Sequence, residues 1–224
     1  MIPDIEAKKH IVLLCDSNSF GVASALYTYM LMEHKKVSLV GEVERKFSFL
    51  PWFDALRKQE PASADLLIDT REIAVHKLYS FFVAEGIKIN AKMATSLYCA
   101  YFLEYKHFTS AECDGMVFAA LSKIVELGAA YEMVQKALLY NQPLKLFRLR
   151  GYLCQEMQLV ENATKALVYF DEMILQKSGA EYSDLEALLE EFLTIAHVEE
   201  VLLLKRDENN KIMKKLKDES IEKK

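Results

Sequence analysis

Two aspartates stand directly after short apolar runs: Asp16 follows IVLLC (11–15) and Asp69 follows ADLLI (64–68). Runs of this kind read as strands buried on both faces, so the two acids fall at the carboxyl ends of neighbouring parallel strands. Ligands of open α/β sheets gather there, and carboxylates without a histidine suit a hard, hydrated ion such as magnesium, held weakly. A second reading needs no ligand: Asp16 and Ser17 cap the helix that follows through its free N–H groups. Arg148 and Arg150 alternate along a stretch that reads as a strand, and with Lys145 they form the best local basic patch for a phosphate, or else a solvated face. His10, His34, His107 and His197 are scattered over different elements and read as solvent-facing or satisfied. Gly21 alone marks the turn after Asp16, so there is no glycine-rich phosphate loop; no G-x-S-x-G or Cys/His pairing supports a nucleophile.

The elements that position these residues begin with a strand at 11–15, a polar turn, a helix over 22–34 and a strand at 37–40, which together make a βαβ unit with a right-handed crossover. A helix is expected over 47–58, starting near Pro51, and a third strand over 64–68. Residues 73–139 are helical, with breaks at Gly86 and around 108–115; Asn90 is placed to cap a helix and Gly128 to end one. Tyr98, Tyr101, Phe102, Tyr105 and Phe108 share one helix face, the pattern of core or subunit packing more than of a base-stacking platform. Beyond residue 143 the texture turns strand-like over 144–151, 155–160 and 164–170. A helix follows over 183–193, with Ser183 as its cap and Glu186 completing a capping box. A strand is expected at 197–204, a turn at 208–210 and a charged, helical or frayed tail over 211–224. The reading is an α/β protein: a parallel-sheet domain over 1–128, a hinge over 129–145, and a smaller mixed α/β domain over 146–224.

The chain has 224 residues, of which 52% are apolar and 27% charged; 28 Lys and Arg against 33 Asp and Glu give a net charge of −5. A sequence pI of about 5.6 argues against non-specific duplex binding, which draws on an excess of cations. No apolar run approaches the ~18 residues of a membrane span, and the first residues carry no signal-peptide pattern. Cys15, Cys99, Cys113 and Cys154 show no metal-ligand spacing and read as buried thiols of a cytoplasmic protein.

The order of segments resembles the DHH phosphoesterases of the nanoRNase and oligoribonuclease/pAp-phosphatase type, relatives of RecJ. The stretch 12–21 (VLLCDSNSFG) resembles that family's HxxxDxD(A/S)xGS, and 64–70 (ADLLIDT) its ADLxIxxDT. Residues 85–98 (EGIKINAKMATSLY) resemble GIKINxEIATALYAG, and 104–108 (EYKHF) take the place of DTGxF. Such a resemblance implies a two-domain phosphoesterase in which two divalent metals, usually manganese, clamp a phosphate ester and activate a bridging water.

Carried over residue by residue, the first-motif histidine becomes Val12, its first aspartate is kept as Asp16, and its second becomes Asn18. The bridging aspartate is kept as Asp69, and the fourth-motif aspartate becomes Glu104, with His107 close by. The Asp-His-His motif has no counterpart after Thr70, and there is no GGGH loop before residue 224. A set thinned this far implies a degenerate member, since losing even one supporting ligand weakens metal binding ~10–100-fold. The expected function is therefore non-catalytic binding of a nucleotide, a short single-stranded oligonucleotide or a protein partner, with the cleft between the two parts as the ligand site and a homodimer as one assembly. No cofactor is expected; any metal would be magnesium or manganese. The alternative is a working metal-dependent phosphoesterase with a rebuilt site, acting on short oligonucleotides or nucleoside bisphosphates.

Overall fold

The computed structural model describes residues 8–140 and 142–217. The chain divides into two units, Met1–Asn141 and Gln142–Lys224, each with a hydrophobic core of its own.

The first unit is built on four parallel strands in the order β3-β2-β1-β4: β1 (His10–Asp16), β2 (Lys36–Glu42), β3 (Leu56–Arg57) and β4 (Leu66–Asp69). Ile11, Val12 and Leu13 are fully buried, as a strand covered on both faces requires. Helix α1 (Phe20–Met32) makes the crossover to β2 and packs closely on α3 (Ala91–Glu104). Gly21 permits that approach, because a Cβ there would sit 2.8 Å from both the Ala100 nitrogen and the Ser96 oxygen. The glycine therefore serves a helix crossing and not a phosphate. Further along the same crossing, Ser24 Oγ and Ser96 Oγ lie 2.8 Å apart. Gly41 meets a similar limit in β2, where a Cβ would collide with the carbonyl oxygen of Cys15, its partner in register.

The helices α2 (Val75–Ala84), α3, α4 (Gly115–Glu126) and α5 (Tyr131–Leu139) complete the unit. Asn90 caps α3 by accepting from Met93 N–H at 3.0 Å, and Gly128 ends α4 at φ 92°. The aromatic row on α3 is internal: Tyr98, Tyr101, Phe102 and Tyr105 are all buried. Helix α5 occupies most of the expected hinge and buries Val134 in the first core. The helix expected over 47–58 does not form. Single 3₁₀ turns at Arg45–Phe47 and Phe53–Ala55 take its place, separated by Trp52 at φ 69°. Bonds to α1 hold this segment off the helical path: Ser24 Oγ donates to the Pro51 carbonyl, and Trp52 Nε1–H donates to Thr28 Oγ1.

The second unit has a mixed sheet in the order β5-β6-β7-β8: β5 (Gln158–Val160), β6 (Lys165–Phe170), β7 (Glu200–Lys205) and β8 (Lys211–Lys217). Only β6 and β7 are parallel. Helices α6 (Leu144–Glu156), α7 (Glu172–Ser178) and α8 (Tyr182–Phe192) accompany it.

Four features of this unit differ from the sequence expectation. The strand expected at 155–160 starts only at Gln158, because α6 runs on to Glu156. The strand expected at 144–151 is helix α6, because Leu149 and Leu153, four apart, are both fully buried on one stripe. The cap of α8 is set two residues earlier than Ser183: Asp184 accepts from the Glu181 N–H at 2.8 Å. Residues 211–217 of the supposed tail form β8, while 218–224 lie outside the described residues. Cysteine burial across the chain is also uneven, with Cys15 and Cys99 buried, Cys113 intermediate and Cys154 exposed.

Candidate functional site

Asp16 ends β1 and Asp69 ends β4, so the two acids do lie at the carboxyl ends of adjacent parallel strands. Each is committed to a neighbour. Asp16 Oδ1 accepts from both the backbone N–H and the hydroxyl of Ser19, each at 2.8 Å, while Ser19 Oγ accepts from the Asp16 N–H at 3.0 Å. This closed ring fixes the turn between β1 and α1. Ser17 does not cap α1 either; its hydroxyl accepts from Glu44 N–H in the loop after β2. Asn18 is exposed in the same turn.

Asp69 is gripped by Arg71. The guanidinium donates from Nε to Oδ1 at 2.8 Å and from Nη2 to Oδ2 at 2.5 Å, and the Arg71 backbone N–H adds a third bond to Oδ1 at 3.1 Å. The side-chain bonds from Arg71 hold the Asp69 carboxyl below the usual carboxylate range, and Asp69 in turn raises the guanidinium pKa. Thr70, between them, is 1% exposed and donates from its hydroxyl to the Leu14 carbonyl at 2.7 Å, pinning the turn to β1.

Glu104 serves a helix end. Its Oε2 accepts from the Val75 N–H at 2.8 Å, at the start of α2, where the N-cap position is Ala74 and supplies no side-chain bond. Its Oε1 lies 3.7 Å from His76 Nδ1. His107 packs against Phe102 with ring centroids 4.7 Å apart and the planes tilted by 37°; burial, and then the charge of Lys46, hold its pKa below the ordinary histidine value. Lys106, His107 and Phe108 all have left-handed backbones, with φ of 47°, 59° and 66°.

The basic patch expected in the second unit is not assembled. On a helix, residues two apart face nearly opposite ways, so Arg148 and Arg150 share no face of α6. Arg150 is paired bidentately with Glu191 at 2.6 and 2.7 Å, and Lys145 with Asp184 at 2.7 Å; both pairs lash α6 to α8. Arg148 remains exposed.

Among the described residues, no group of three or more His, Cys, Asp or Glu is placed to hold a metal ion. The donors carried over from the family pattern therefore do not fit a binuclear centre: Asp16, Asp69 and Glu104 each serve a different internal partner. Arg71 decides this and was missed in the sequence. The signal available was a cation two residues beyond a strand-ending aspartate. The other feature missed is a groove of about 550 Å³ at the carboxyl ends of β2 and β3. Glu42, Asp54, Arg57 and Lys58 are on its wall, and Glu42 is the register partner of Asp16.

No protein-family model matches the chain, and no curated protein does. An exopolyphosphatase-related protein from Bacteroides fragilis shares the fold. It superposes with a TM-score of 0.75 at 13% identity, over 92% of this chain and 78% of that one. A putative family II inorganic pyrophosphatase from Methanococcus jannaschii aligns over 88% and 83% at 12% identity, with a TM-score of 0.34. At 13% identity the first likeness is one of architecture: an α/β, exopolyphosphatase-like fold with a parallel sheet and a separate mixed sheet. No helix among the described residues is long and apolar enough to cross a membrane.

Proposed function

We propose that this chain is a degenerate DHH-type phosphoesterase that acts by binding a nucleotide or short single-stranded oligonucleotide instead of cleaving one. The reading is carried by one observation: the three carboxylates that the family pattern would give to metal are each engaged elsewhere, Asp69 by Arg71, Asp16 by Ser19 and Glu104 by the Val75 N–H. Two adjacent dications repel strongly and need several anionic donors to hold them together, whereas here at least one oxygen of each carboxylate is turned to a protein donor. The fold shared with an exopolyphosphatase-related protein supports a phosphate-bearing ligand. So does the groove beside β2 and β3, where Arg57 and Lys58 can meet a phosphate while neighbouring apolar walls at Val43, Phe53 and Leu56 accept a base or sugar face.

The test uses purified protein with manganese or magnesium and a two- to five-nucleotide RNA. The expected result is no release of mononucleotide or phosphate, together with a rise in melting temperature on adding nucleotide. Turnover that disappears in Asp69→Ala would establish the alternative, a phosphoesterase with a rebuilt site. If neither turnover nor a nucleotide shift is seen, the ligand reading falls in favour of a protein partner, sought by pull-down.

A further inference from the structure

The acidic ends of β1 and β4 pose an electrostatic problem. Asp69 pairs in register with Leu14, and Asp16 lies two residues beyond Leu14. Alternate residues of a strand share a face, so the two carboxylates are diagonal neighbours on one side of the sheet. Anions so placed repel unless a cation stands beside them.

We infer that Arg71 is a built-in counter-ion, a guanidinium holding the place of a divalent cation between the ends of β1 and β4. Its two donors match both oxygens of Asp69, and the buried Thr70 bond to β1 fixes the turn that carries it at the strand end. An arginine stays charged at every physiological pH and offers a planar fork, but it has no open coordination position and cannot acidify a water. It therefore neutralises without catalysing. This deepens the non-catalytic reading above and rests on it.

The experiment compares wild type, Arg71→Gln and Arg71→Gln/Asp69→Asn by thermal melting, in chelator and in millimolar Mg²⁺ or Mn²⁺. Wild type should melt at the same temperature in both. Arg71→Gln should melt several degrees lower in chelator and recover most of that loss with the metal. The double variant, with one carboxylate neutralised, should show no recovery. Arg71→Lys, which keeps the charge without the fork, should remain insensitive to metal and stands in if Arg71→Gln does not fold. A metal-dependent rise in wild type, or no recovery in Arg71→Gln, would overturn the counter-ion. An inactive wild type with no recovery in the variant removes the counter-ion alone, whereas RNA turnover by wild type removes the non-catalytic reading first.

Discussion

Lys106, in the stretch 104–108, has a left-handed backbone at φ 47°. A side chain in that region costs ~1–2 kcal/mol, which glycine relieves at the expense of about 0.5–1 kcal/mol of unfolded-chain entropy. Lys106→Gly should therefore stabilise the first unit by about 0.5–1 kcal/mol, read as a higher urea midpoint with an unchanged slope. Individual residues were legible in the sequence where the signal is local. Asn90 announced its cap, and Asp16 and Asp69 announced strand ends through the apolar runs before them. The role of Gly21 was not legible, because what it accommodates is Ala100 on another helix. Arg71 was passed over for a related reason: charge counting sees a cation, while its pairing depends on a turn locked by Thr70.

At the scale of elements, the β7 register is marked by an acid. Glu200 is only 7% exposed at its side chain, yet it faces Lys165 on β6 at 3.4 Å and Lys215 on β8 at 2.5 Å. Lys215 first, and then Lys165, hold its carboxyl below the usual range. A carboxylate whose folded pKa is depressed contributes stability above its unfolded value, and that contribution is lost as pH falls through the folded one. Glu200→Gln should cost about 1.5–3 kcal/mol near neutrality, the worth of a charge-assisted bond. The gap from wild type should narrow on acidification below the ordinary glutamate range, measured by denaturant melts across pH. The same network explains why β8 was misread. Residues 211–217 look like a solvated charged tail when the signs are summed, but Lys215 has a buried carboxylate to meet, and Met213 and Leu216 pack on the second core. Helix α6 was misread for the opposite reason. Its leucines and cations are interleaved over 144–150 in a way that suggests a strand, although the adjacent Leu146 and Phe147 break the alternation, and the Leu149–Leu153 stripe and the salt bridges to α8 show that the period is helical.

Over the whole molecule, two cores divide the chain between Asn141 and Gln142. The broad architecture, a parallel sheet followed by a smaller mixed one, was legible because βαβ patterning and apolar runs are strong signals. With two cores, local openings follow the units. Glu200→Gln should speed amide hydrogen exchange in β6, β7 and β8 and leave β1, β2 and β4 at wild-type protection; a change spread over both sheets would contradict this. The thiols follow the same division unevenly. Burial, aided by Asp16, pushes Cys15 up to about 12, and burial alone takes Cys99 to about 12, while Cys154 lies exposed on α6. The native protein thus offers its most open thiol to a maleimide dye in the second half, and removing the half-buried Cys113 of the first would confine the label to that site.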